Sequence, residues 1–119
     1  MATVDDLRRL ALALPEATEA QDRLAFTVGG KGFAWSWLER VDPRRPRVEN
    51  RDVIAVRVAG EHEKEPLIEM RPHVFFTEPH YDGFPAILVR LAAIDVDLLE
   101  VILTQGWRCQ APRRLIVRG

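Results

Sequence analysis

The chain has 119 residues, 47% of them hydrophobic, with 17 Lys and Arg against 18 Asp and Glu for a net charge of -1. This length and composition predict one globular domain with its own core and exclude a disordered chain. The balanced charge excludes a strong global attraction to nucleic acid, and no apolar run approaches the roughly 20 residues of a membrane span.

Residues Met1 to Asp6 carry no basic patch followed by an apolar stretch, so they do not read as a signal peptide. The single cysteine, Cys109, excludes an internal disulfide and suits a reducing compartment, so a cytoplasmic location is expected. Fifteen of the 17 cations are arginine. That excess suits phosphate recognition, since the guanidinium fork matches it, and it equally suits the coding bias of a GC-rich genome.

The first element is a helix. Thr3 is a good N-cap, Asp5 and Asp6 sit where the helix dipole favours acid, and Val4, Leu7, Leu10, Ala11 and Leu14 recur at helical spacing until Pro15 stops the run. Leu24, Phe26 and Val28 alternate as in a strand, Gly29-Gly30-Lys31-Gly32 turns, and Phe33, Trp35 and Trp37 share one face of a returning strand. The spacing predicts an aromatic face turned toward the core or partly lining a groove beside the next loop. Residues 39–51 hold Pro43, Pro46 and five arginines and are expected to be irregular. Val53 to Val58 reads as a third strand and Glu63 to Met70 as a short helix ended by Pro72. Val74 to Phe76 and Ala86 to Leu91 read as the last two strands. Asp95 caps a final helix whose apolar stripe is Val96, Leu99, Ile102, Leu103 and Trp107, with Gly106 weakening its end. A short extended piece is expected at Leu115 to Val117.

The elements predict a single α+β domain over residues 1–119: a two-layer, five-stranded antiparallel sheet covered by helices, in the order α-β-β-β-α-β-β-α. The expected core is Leu7, Leu10, Phe26, Phe33, Phe76, Leu88, Leu99, Ile102 and Leu103.

Four segments carry a resemblance: Ala13-Leu14-Pro15-Glu16, Phe26 to Ala34, the run Val74 to Leu91 with its two prolines and His80-Tyr81-Asp82-Gly83 turn, and Ala111-Pro112-Arg113-Arg114-Leu115. Together they resemble the MmcQ/YjbR family of small bacterial proteins, over nearly the whole chain and in order. The resemblance implies a two-layer fold related in shape to frataxin-like and secretion-chaperone-like proteins. It also implies a double-wing DNA-binding arrangement. One wing would be the turn from Val28 to Phe33 with Lys31 at its tip, the other the turn from Thr77 to Phe84. Family members usually connect strands across 39–51 with less chain, so that segment is a departure. The second turn departs as well, since it carries Glu78 and Asp82 and only His80 could charge.

No metal or cofactor is expected. His62, His73, His80 and Cys109 match no zinc-ligand spacing, and the acids of the first helix are mixed with Arg8 and Arg9. No enzyme is expected either. Cys109 has no histidine near in sequence, and His80-Tyr81-Asp82 reads as a turn before it reads as a proton-handling cluster. The leading expectation is double-stranded DNA held through phosphates by Lys31, Arg40, Arg44, Arg45, Arg47, Arg113 and Arg114, with Arg118 further along the tail. The alternative is a protein- or small-ligand-binding module using Trp35, Trp37, His80 and Tyr81. One basic face joining Lys31, the 40–51 loop and the tail would favour DNA; a closed concave pocket near Tyr81 would favour a ligand.

Overall fold

Thr3 begins the fold as the sequence predicts. Its hydroxyl accepts from the Asp6 N–H at 3.1 Å while the Asp6 carboxylate accepts from the Thr3 N–H at 3.0 Å, a reciprocal cap on helix α1, Val4–Leu12. The computed structural model describes residues 1–117, so Arg118 of the expected cationic tail lies outside the described residues. Strands β1 (Thr18–Glu19), β2 (Ala25–Val28), β3 (Lys31–Glu39) and β4 (Val48–Arg57) follow α1. Then come helix α2 (Lys64–Met70), β5 (Phe75–Phe76), β6 (Ala86–Arg90) and helices α3 (Val96–Gln110) and α4 (Arg113–Val117).

The strands form one antiparallel sheet in the order β1-β2-β3-β4-β6-β5. The α+β class and antiparallel sheet agree with expectation, but the strand count and order do not. Among the described residues there are six strands because Thr18 and Glu19 pair with Thr27 and Phe26, a pairing of two residues too short to leave a periodic signal. The element order is therefore α-β-β-β-β-α-β-β-α-α. The Leu115 to Val117 segment is helical rather than extended, since Leu115 N–H bonds Pro112 O at 3.0 Å and Leu115 and Ile116 pack on the core.

Gly29 and Gly30, both at positive φ (58° and 79°), make the two-residue turn that sets Val28 opposite Lys31. At the other end of β3 the hairpin runs further than expected. Trp37, Leu38 and Glu39 pair with Asn50, Glu49 and Val48, so only residues 40–47 remain a loop.

Two register shifts decide which side chains face where. Phe26 lies opposite Ala34 but Thr27 opposite Gly32, so Phe33 is an extra residue bulged into β3. The bulge breaks the alternation. Phe33 joins Phe26 and the helix-side core, while Trp35 and Trp37 face the opposite side of the sheet with Val53, Ala55, Phe76, Tyr81 and Leu88. The expected common face of Phe33, Trp35 and Trp37 is thus corrected. Phe76 and Leu88 also belong to this second cluster, and Phe76 is only half-buried. The second shift carries Ser36 opposite Ile54 but Trp37 opposite Asn50, which kinks β4 before the hairpin tip.

Helices α1 and α3 cover the first face. Leu99, Ile102, Leu103 and Trp107 of α3 are buried, and the Trp107 indole donates to Pro15 O at 3.0 Å. Gly106 is no weak end. A Cβ there would lie 2.9 Å from Val56 Cγ1, 3.1 Å from Arg57 O and 3.2 Å from Phe33 O, so its bare backbone lets α3 lie against the sheet. Among the described residues no helix is long and apolar enough to cross a membrane.

Candidate ligand-binding groove

A two-layer sheet normally turns its second face, polar, to water. Here that face carries Trp35, Trp37 and Phe76 and is roofed in part by the segment between β5 and β6. The segment turns back onto the sheet as a 3-10 turn, Pro79–Tyr81, followed by a type II turn from Tyr81 to Phe84 with Gly83 at φ 79° and Phe84 N–H on Tyr81 O at 3.0 Å. The expected second wing is therefore not a projecting hairpin tip. Tyr81 is buried, and its hydroxyl accepts the Trp35 indole N–H at 3.1 Å.

The turn is fixed from beneath by Lys64, one of the two buried polar or charged residues of the described chain. Its ammonium donates to Tyr81 O at 2.7 Å and pairs with Glu61 at 2.7 Å. That lysine bond, before any other influence, holds the Glu61 carboxyl below its ordinary range.

Between this turn and β3 lies a groove of about 470 Å³ lined by Arg23, Trp35, Leu38, Arg47, His80, Tyr81 and Phe84. A second hollow of about 610 Å³ continues from it, sharing Arg47 and His80 and adding Trp37, Glu39, Arg40, Pro43, Glu78 and Pro79. Phe84 stands edge-on to both Trp35 and Tyr81, at centroid distances of 6.2 and 6.0 Å, and Trp37 edge-on to Phe76 at 5.8 Å. Arg57 lies over Phe84 at 5.6 Å and Arg90 over Phe76 at 4.0 Å. Among the described residues, four buried side-chain polar atoms have no protein partner: Arg23 Nε, Trp37 Nε1, Arg57 Nε and Glu78 Oε1. All four belong to residues that line these hollows or stack on their rim.

All four residues expected for a ligand site, Trp35, Trp37, His80 and Tyr81, thus come together, around an open groove rather than a closed pocket. Two of the expected DNA contacts, Arg40 and Arg47, join them. Arg47 donates to Leu38 O at 3.0 Å, and Arg40 donates to Pro43 O and Arg45 O, so both also tie the 40–47 loop. Arg44 and Arg45 are exposed at the loop tip, where Asp42 pairs with Arg45 and caps the Arg44 N–H. Lys31, Arg113 and Arg114 lie elsewhere. Lys31 is at the far end of β3, roughly 25 Å along the strand from the loop at ~3.3 Å per residue. It neighbours the Gly29 turn, over which Pro112 packs. Arg114 makes a bidentate pair with Glu16 at 2.7 and 2.8 Å, the bond that chiefly lowers the Glu16 pKa. The expected cations therefore divide between two ends of the sheet.

Sequence reasoning did not single out Arg23 and Phe84. Arg23 reaches the groove because Ala25 lies opposite Trp35, a register that local sequence does not reveal. Phe84 had a signal, since it follows the Asp82-Gly83 turn that swings it over Trp35. Cys109 lies apart, beside a hollow of about 200 Å³ with Val58, Glu63 and Arg108, and partial burial pushes its thiol pKa up. Among the described residues, no three His, Cys, Asp or Glu side chains gather in a group that could hold a metal ion.

The fold resembles the crystal structure of a Deinococcus radiodurans protein with a DUF419 domain, with a TM-score of 0.64 at 24% identity over 90% of this chain and 77% of that one. Uncharacterized proteins of Mycobacterium tuberculosis and Mycobacterium bovis are 41% identical over 122 residues, spanning 98% of this chain and 94% of theirs. The YjbR family model matches residues 12–109, and the chain belongs to the YjbR family.

Proposed function

We propose that this protein is a non-catalytic binding module for a small, flat, largely apolar ligand, held in the groove over Trp35. The observation that carries this reading is the aromatic wall of Trp35, Tyr81 and Phe84 around a concavity on a sheet face that would otherwise be polar. Its 470 Å³ falls within the range of small-molecule sites. The walls are braced: Tyr81 is bonded to Trp35 on one side and to Lys64 on the other. A braced aromatic slot spends little conformational entropy on stacking a flat ring.

Duplex DNA draws less support, because the cations proposed for it lie at opposite ends of β3 and several are engaged by their own loop or by Glu16. The discriminating experiment titrates N-phenyl-1-naphthylamine, a neutral flat fluorophore, and separately a short DNA duplex at low salt. The proposal expects saturable dye fluorescence that is lost in Trp35→Ala and Phe84→Ala, and no duplex binding that these substitutions alter. Duplex binding abolished by replacing Arg44 and Arg45, with no dye binding, would reverse the order of the two readings.

A further inference from the structure

The two hollows differ in charge, and the difference bears on what the ligand carries. The second contains the carboxylates Glu39 and Glu78 beside Arg40 and shares Arg47 and His80 with the first. Among the described residues the first contains Arg23, Arg47 and His80 and no carboxylate. Neither arginine forms an ion pair among the described residues. The nearby acid that interacts with Arg23 is Glu49, and its carboxylate is already engaged by the Ser36 hydroxyl and the Leu24 N–H. Arg23 Nε has no protein partner, and Arg47 commits one of its five N–H donors, to Leu38 O. Two half-buried guanidinium groups with uncommitted donors, beside an aromatic wall, complement a planar group bearing negative charge.

We infer that the natural ligand is an aromatic anion. Its ring lies against Trp35 and Phe84, and its carboxylate, sulfonate or phosphate-type group is met by Arg23 and Arg47. This inference rests on the ligand-binding reading above and adds the charge. The anionic group is drawn to the first hollow, because Glu39 and Glu78 would repel it from the second.

The test uses a matched pair of dyes on the full chain: 8-anilinonaphthalene-1-sulfonate and N-phenyl-1-naphthylamine, which share a ring system and differ in the sulfonate. The sulfonated dye should bind about tenfold more tightly, the return from a hydrogen-bonded charge contact. Added salt should weaken it while leaving the neutral dye alone. Arg23→Gln and Arg47→Gln together should remove that roughly tenfold advantage of the sulfonated dye, each alone a part of it, and cost the neutral dye little. Arg23→Lys and Arg47→Lys keep the charge without the fork, so they should fall between. A melting curve for each variant shows that the fold persists. Equal affinity for the two dyes, or a sulfonated dye indifferent to all four variants, would overturn the anion assignment and leave the ligand-binding reading standing. Failure of both dyes to bind would overturn the two together.

Discussion

The Trp35 indole N–H donates to the Tyr81 hydroxyl at 3.1 Å, joining the middle of β3 to a turn 46 positions away in the chain. That bond holds the roof of the groove against its floor. Tyr81→Phe removes the acceptor and leaves a part-buried indole donor unpaired. A loss of about 0.5–1.5 kcal/mol is expected, together with a larger proportional loss of dye affinity. Urea denaturation gives the first quantity and fluorescence titration the second. Unchanged values in both would mean that the bond orients nothing.

Lys64 acts on the same turn from the other side. In Lys64→Met the apolar stem is kept, but Tyr81 O loses its charged donor and keeps only the Phe84 N–H. A cost of about 1.5–3 kcal/mol is expected for the lost hydrogen bond from a charged group. Amide exchange should speed at Asp82, Gly83 and Phe84 before it does in α3, since only the turn loses its anchor. Exchange that rises uniformly would show Lys64 to be a global support instead.

Gly106→Ala separates helix propensity from packing. Propensity alone would make alanine stabilising by up to ~1 kcal/mol. The contacts at 2.9 to 3.2 Å, two of them with backbone oxygens that cannot swing aside, predict a net destabilisation of about 1–3 kcal/mol. A thermal melt that rises would show that α3 can lift off the sheet without penalty.

Glu49 gives the pH dependence. Its carboxylate accepts first from the Ser36 hydroxyl and next from the Leu24 N–H, and these hold its pKa below the ordinary carboxylate value. A folded pKa lower than the unfolded one stabilises above the unfolded value, and the contribution is lost as pH falls through the folded value. Glu49→Gln should therefore melt below wild type at pH 7, with the gap closing below about pH 4. A gap constant from pH 7 to pH 3 would contradict the assignment.

What could be read from the sequence was what adjacent residues decide. The Thr3 and Asp95 caps, the Gly29-Gly30 hairpin and the α3 stripe all rest on neighbours within a turn or two. What could not be read depends on pairing across strands. The bulge at Phe33 sends Trp35 and Trp37 to the face opposite Phe33, and no local pattern marks it. The β-branched run at the tail looked extended, but contacts of Leu115 and Ile116 with the core favour a helix. The site followed the same division. His80 and Tyr81 were visible as a turn cluster and the tryptophans as large aromatics, whereas Arg23 enters only through the β2–β3 register.

The central claim, that the groove over Trp35 is a ligand site, is tested most directly by the three tryptophan indole signals in a proton–nitrogen correlation spectrum. Trp35 and Trp37 line the two hollows, whereas Trp107 bonds Pro15 O on the opposite, helix-covered face. Titration with 8-anilinonaphthalene-1-sulfonate should shift the Trp35 signal most, Trp37 less and Trp107 not at all, saturating together with the shifts of Tyr81 and Phe84 amides. Equal movement of all three indoles, or movement of Trp107 alone, would contradict the account.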